Sequence, residues 1–184
     1  DYVFDGEKKA AYVEDDPTHP LGVYGQSKRA GEEVIQEMGG LIYIFRTSWV
    51  YSTIGYNFYL TMKKLSLERD ELKVVADQVG VPTSNQFIAE QIKAIILELN
   101  NNNTGIYHLV ADGSCSWYVF AKEIISQTNL QFNLENLHAI TTDEFPTVTK
   151  RPKNSILNNG KIKQTFNLQC NHWQRELEKV INEA

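Results

Sequence analysis

The feature that most constrains this chain is the regular exchange of short apolar runs with longer segments whose apolar residues recur every three or four positions. "LIYIFR" at 41–46, "LKVVA" at 72–76 and "GIYHLVA" at 105–111 have strand length and are nearly continuous in apolar character. Between and after them, three sets follow the helical period: Phe58, Met62 and Leu65; Ile88, Ile92, Ile95, Ile96 and Leu99; and Trp117, Phe120, Ala121, Ile124 and Ile125. Trp173, Leu177, Val180 and Ile181 repeat the pattern near the end. Unbroken apolar strands that alternate with helices are the mark of a layered α/β architecture with parallel strands.

Within that frame, residues 21–38 read as a helix carrying Ala30, Val34 and Met38 at four-residue spacing, with Gly39-Gly40 as its stop. The run 41–46 reads as a central strand covered on both faces. A helix is expected over 57–68, and another opened by a capping box of Thr83 and Gln86. The last helix should expose Arg175, Glu176, Glu178 and Lys179 as a solvated face. Tyr2-Val3-Phe4 reads as the end of a strand entering a turn at Asp5-Gly6. The less regular stretch 129–159 contains Pro146, Arg151 and Pro152. It also holds enough apolar residues, among them Phe132, Leu137 and Ile140, to read as a substrate-facing appendage rather than a linker.

With 184 residues, 42% of them hydrophobic, the chain can bury one substantial core or two small ones. A net charge of -5 and a pI near 5.4 argue against nucleic acid or an anionic membrane as partner, since both select basic surfaces. No run has membrane-spanning length and no leader pattern is present, so the cytoplasm is the expected compartment. Cys115 and Cys170 read as reduced thiols, and the sequon at Asn102 as a polar turn. His19, His108, His138 and His172 lack metal-ligand spacing, and His108, inside an apolar run, reads as a core histidine. Glu14, Asp15 and Asp16 read as a solvated acidic loop, with attraction of a cation as the weaker alternative. The chain opens on "DYVFDG" without an initiator methionine, which reads as a cut in mid-strand.

The stretch "VYGQSKRAGEEV" at 23–34 places Tyr24 and Lys28 one helical turn apart on a common face. A free tyrosine, with a pKa of about 10, is a sluggish acid near neutrality, and a neighbouring positive charge favours its phenolate. A phenol tuned in this way can protonate a developing alkoxide, and the same ammonium can hold hydroxyls of a cofactor. The bare spacing also fits an exposed aromatic–cation pair on a solvated face, so the surrounding residues decide.

Taken together, "DYVFDG", "YVEDDPTHPLGVYGQSKRAGEE" and "FRTSWVY" resemble the extended short-chain dehydrogenase/reductase superfamily and, within it, the dTDP-4-dehydrorhamnose reductase family. "DQVGVPT" at 77–83, "GIYHLVA" and "RPKNSIL" at 151–157 carry the resemblance over essentially the whole chain. It implies an α/β fold: a Rossmann-like parallel sheet interleaved with substrate-binding segments over 1–128, and a small, mainly substrate-binding appendage over 129–184. The implied activity is reduction of the C4 carbonyl of dTDP-4-dehydro-L-rhamnose to dTDP-L-rhamnose with NADPH or NADH, in dTDP-rhamnose and cell-surface polysaccharide biosynthesis. By the same resemblance Tyr24 is the catalytic acid, while Lys28 lowers its pKa and binds the nicotinamide ribose, so both belong to the cofactor site as well. Asp1 and Trp49 would lie against the sugar, Arg151 would fork onto the diphosphate, and Thr47 and Ser48 are candidates for the nicotinamide pocket. Some relatives associate with Mg2+, which no residue pattern here supports. The partner implied is a nucleotide sugar, with a homodimer left open.

Two features bound this resemblance. The family's catalytic threonine or serine falls one residue before Asp1, and no Gly-x-Gly-x-x-Gly turn that could meet a pyrophosphate at a helix N-terminus occurs in the sequence. The chain is therefore expected to be the C-terminal part of a longer reductase, inactive and poor at binding NADPH by itself. Two other readings stand beside it. One is a non-catalytic subunit similar to the regulatory beta subunit of methionine adenosyltransferase, against which the tryptophan of "FRTSWVY" argues. The other is a different nucleotide-sugar reductase or epimerase.

Overall fold

The computed structural model describes residues 1–128, 131–147 and 149–183. Residues 129 and 130, the first two of the stretch expected to be irregular, lie outside the described residues. In chain order the elements are α1 (Val23–Met38), β1 (Tyr43–Arg46), β2 (Val50–Tyr51), α2 (Phe58–Glu68), β3 (Leu72–Val75), β4 (Val79–Gly80), β5 (Thr83–Ser84), α3 (Asn85–Ile95), β6 (Gly105–His108), β7 (Cys115–Ser116), α4 (Trp117–Gln127), β8 (Leu137–Ile140), α5 (Gly160–Phe166) and α6 (Trp173–Asn182). The α/β alternation is as the sequence implies. Three strand pairs, β1–β6, β2–β5 and β3–β8, are parallel, and the short β4–β7 pair is antiparallel.

Helix starts have local causes. Asn57, Ser84 and Ser116 each accept a hydrogen bond from the amide of the third residue of α2, α3 and α4, which satisfies a donor left open by the helix. The cap of α3 is thus Ser84 and not the expected Thr83–Gln86 box, because Thr83 belongs to β5 and donates its hydroxyl to the Val81 carbonyl at 3.1 Å. The main core surrounds α4. Its Phe120, Ala121, Ile124 and Ile125 pack with Tyr51, Tyr59, Leu72, Val74, Trp173 and Leu177. A second cluster of Phe87, Ile95, Tyr107, Leu109, Ile162 and Phe166 joins α3, β6 and α5.

Other expectations need correction. β1 is neither central nor fully buried: among the described residues it pairs only with β6, which leaves its other edge open, and three of its four residues are half-buried. The apolar residues of α1 face outward, with Val34 57% and Met38 78% exposed, so its stripe marks an uncovered surface rather than core. Residues 2–4 form a turn closed by the Phe4 amide on the Asp1 carbonyl, not a strand end, although Val3 and Phe4 are buried. Glu176 leaves the solvated face of α6. It is buried because Lys179 at 2.9 Å and Asn171 at 2.7 Å satisfy its carboxylate.

Candidate functional site

α1 carries the two residues singled out for chemistry, and one glycine decides how it sits. A Cβ on Gly25 would meet the Tyr2 carbonyl oxygen at 2.1 Å and the Pro20 Cβ at 2.9 Å, so a larger residue would push the helix off the segment beneath it. Gly25 is accordingly the buried residue of a helix that is otherwise open. This close approach sets the Tyr24 ring edge-on to Tyr2, with centroids 6.1 Å apart and planes at 86°. Tyr24 and Lys28 share a face as the spacing implies, and the Lys28 Nζ lies 5.4 Å from the Tyr24 ring centroid. Among the described residues Lys28 has no carboxylate within ion-pair distance. Tyr24 occupies the first turn of α1.

A pocket opens beside the phenol. Tyr2, Tyr24 and Gly25 line one side, and Thr149, Lys150 and Pro152 the other. Its space of about 20 Å³ suits a single water and not a sugar. Arg151 stands exposed between two of the lining residues, and Pro152 packs against the Asp5-Gly6 turn, which pins that segment. Burial raises the pKa of the Tyr2 phenol, and the Arg151 charge partly offsets the rise.

The other predicted residues gather at the end of β1. The Asp1 nitrogen donates to the Thr47 carbonyl at 2.9 Å, so residues 1 and 2 connect the Trp49 segment to the Tyr24 helix. Asp1 Oδ2 and Thr47 Oγ1 are both buried and, among the described residues, without hydrogen-bond partners. Buried polar atoms are normally paired, so these two fit a hydroxyl-bearing ligand. Ser48 differs: its hydroxyl donates to the Val81 carbonyl at 2.8 Å, which leaves Thr47 as the freer of the two. Trp49 lies past the C-terminal end of β1, half-buried, and stacks on Trp117 with ring centroids 3.5 Å apart. Tyr2 and Trp117 were not identified as site residues from sequence. Tyr2 reaches the site through a turn and Trp117 through a distant helix start, and neither placement has a local signature.

Beneath the site a buried polar network fastens α1 to β1. Arg46, the last residue of β1, makes a two-pronged contact to Glu32 at 2.9 and 2.7 Å, on the helix face that Tyr24 and Lys28 begin. It also donates to the Glu14 carbonyl at 3.3 Å and lies over the Phe4 ring at 5.2 Å. Glu14 in turn accepts the His108 backbone N–H at 3.0 Å. The acidic loop is therefore not solvated as expected. Glu14 is buried and Asp16 accepts from the Val13 amide at 2.7 Å and from Lys8, which leaves Asp15 exposed. His108 is fully buried, with Nδ1 at 3.2 Å from the Asn158 carbonyl. Burial first, and the Arg46 charge second, lower its pKa to about 3, so the ring is neutral near pH 7. Among the described residues no group of three His, Cys, Asp or Glu could hold a metal ion.

The fold is thus a layered α/β domain that leaves a tyrosine and a lysine on the open face of one helix. The chain is a member of the family described as the RmlD substrate binding domain, whose model matches residues 1–184. It is 42% identical over 188 residues to dTDP-4-dehydrorhamnose reductase of Escherichia coli K12, covering 100% of this chain and 63% of that protein. The corresponding protein of Aggregatibacter actinomycetemcomitans is 44% identical, with 98% and 63% covered. Among solved structures, dTDP-4-dehydrorhamnose reductase from Bacillus anthracis in complex with NADP superposes with a TM-score of 0.91 at 38% identity, over 100% of this chain and 63% of that one. The chain thus spans 63% of the length of these relatives.

As for a cofactor, Tyr24, Lys28 and the unpaired Thr47 hydroxyl fit the hydroxyl-bearing nicotinamide ribose end of a dinucleotide. Nothing in the sequence supplies the glycine turn that its pyrophosphate needs.

Proposed function

We propose that this chain is the sugar-handling part of a dTDP-4-dehydrorhamnose reductase, which reduces the C4 carbonyl of dTDP-4-dehydro-L-rhamnose to dTDP-L-rhamnose with NADPH for cell-surface polysaccharide synthesis. The observation that carries the reading is the Tyr24–Lys28 pair, open on the first turns of α1 beside a pocket edged by the Arg151 segment. Tyr24 donates its phenolic proton to the carbonyl oxygen as charge develops there. The Lys28 ammonium and the helix N-terminus favour the phenolate left behind. NADPH, when bound, supplies the hydride, and Lys28 holds its ribose hydroxyls. Asp1 and Trp49 hold the deoxysugar, and Arg151 takes the diphosphate through its planar fork of donors.

The same reading divides the chain into a Rossmann-like portion interleaved with sugar contacts over 1–128 and a mainly substrate-binding portion over 129–184. The edge of β1 that is unpaired among the described residues and the uncovered stripe of α1 support the view that a dinucleotide-binding part packs there. The unpaired thiols of Cys115 and Cys170 suit a reducing compartment, the cytoplasm. The test is oxidation of NADPH by the full-length protein in the presence of dTDP-4-dehydrorhamnose. The reading requires sugar-dependent turnover, and its absence beside an active control enzyme would remove it.

A further inference from the structure

Trp49 adopts a backbone conformation that a bulky residue rarely takes, with φ 45°, and such strain persists only where the surroundings enforce it. The enforcement comes from a slot. On one side lies Trp117, the first residue of α4, whose ring is parallel to Trp49 within 8° at 3.5 Å. Phe58 of α2 backs Trp117 at 4.6 Å and also meets Phe120 of the core at 5.6 Å, so the wall is continuous with the main cluster. On the other side lies Gly80 of β4. A Cβ there would meet Trp49 ring carbons and its indole nitrogen at 2.4 to 2.7 Å. The antiparallel β4–β7 ladder, which pairs Gly80 with Cys115, brings the two walls together from positions far apart in sequence.

Trp117 contributes a flat face and no polar contact, because its indole N–H is buried without a partner among the described residues. What Trp117 presents to Trp49 is therefore the face of its ring.

We infer that Gly80 and Trp117 are positioning residues that hold the Trp49 indole at one fixed angle for the deoxysugar, and so set sugar affinity without touching the reacting atoms. This rests on the proposed contact between Trp49 and the sugar. A ring already held in place loses little side-chain freedom on binding, whereas a loose one must be ordered each time. Affinity should therefore fall when the slot is disturbed, while the proton-transfer machinery on α1 is left as it was.

The experiment compares wild-type full-length protein with Gly80→Ala, Trp117→Leu and Trp117→Phe. It measures the near-ultraviolet circular dichroism of the stacked indoles without substrate, and then steady-state kinetics with NADPH and dTDP-4-dehydrorhamnose. Gly80→Ala and Trp117→Leu should lose the indole band and raise KM about tenfold with kcat within about threefold, the pattern of lost ground-state and transition-state binding together. Trp117→Phe keeps a flat ring and drops the unpaired N–H, so its KM should stay near wild type. An indole band unchanged in Gly80→Ala would overturn the slot. A lost band with unchanged KM, or kcat falling in step with kcat/KM, would overturn the positioning role. Wild-type protein that shows the band but does not turn over the sugar would count against the proposed function, and the positioning role would fall with it while the slot stood on its band.

Discussion

α1 and α4 are both amphipathic helices, yet α1 buries one of its sixteen residues, Gly25, whereas α4 buries four of its eleven. α4 is held by packing over its whole length, through Phe120, Ala121, Ile124 and Ile125. α1 is held by a few separate contacts, chief among them the close approach at Gly25 and the Glu32–Arg46 pair two turns beyond Tyr24, with Arg29 donating to the Thr18 carbonyl at 3.1 Å between them. The difference follows from what each helix must do. The proposed role of Tyr24 as a proton donor requires it to remain reachable, and a helix fastened at a few contacts and otherwise open suits that role while the core supplies stability.

If that division holds, the largest loss of stability should come from α4. Phe120→Ala removes a fully buried ring that contacts Tyr51, Phe58 and Trp173, and should cost about 3–5 kcal/mol in urea unfolding. Arg46→Ala should come next, at about 3 kcal/mol, because it strands the largely buried Glu32 carboxylate. Since Arg46 also fastens the helix that carries Tyr24 and Lys28, the proposed reading expects turnover of the full-length protein to fall with it. A double variant, Arg46→Met with Glu32→Gln, should recover part of the stability.

A smaller effect concerns pH. The folded state keeps His108 neutral down to a pKa of about 3, while the unfolded chain takes up a proton near the ordinary 6.5. The stability this neutral ring contributes is complete above about pH 6.5 and drains away as pH falls toward 3, with a slope of at most about 1.4 kcal/mol per pH unit. The Arg46 guanidinium facing it opposes protonation. Asp5, held below the usual carboxylate range by the Glu7 amide and the Tyr12 hydroxyl, adds its own loss only at lower pH. Unfolding measured between pH 6.5 and 4.5 should therefore flatten in His108→Gln. Smaller again, Val34→Thr on the open stripe of α1 should change stability by less than about 0.5 kcal/mol; a loss comparable to that of Phe120→Ala would mean the stripe is packed after all.

The same contrast explains what was legible in the sequence. Periodic apolar residues revealed α2, α4 and α6, because burial along a whole helix face writes itself into the spacing. The identical signal in Ala30, Val34 and Met38 does not distinguish a buried stripe from an uncovered one, and the continuous apolar run of β1 likewise does not show whether the strand is central. Strands of two residues, such as β4 and β7, are too short to show any period, and α5, with two buried positions, is little better. Glu14 and Glu176 read as solvated because a charge names no partner, and the His108 amide that satisfies Glu14 lies 94 residues away. Tyr24 and Lys28 were legible through a local motif. Tyr2, Gly80 and Trp117 owe their places to contacts between distant segments, which one sequence does not display.

The most direct test is Tyr24→Phe in the full-length protein, with its turnover and its urea midpoint measured together. Tyr24 is 59% exposed and its hydroxyl hydrogen-bonds to nothing among the described residues, so the midpoint should match wild type. Turnover should fall by about 10²- to 10⁴-fold, the usual contribution of a positioned acid. Unchanged turnover, or a midpoint that falls as far as that of Phe120→Ala, would contradict an open helix that carries the chemistry and leaves stability to the core.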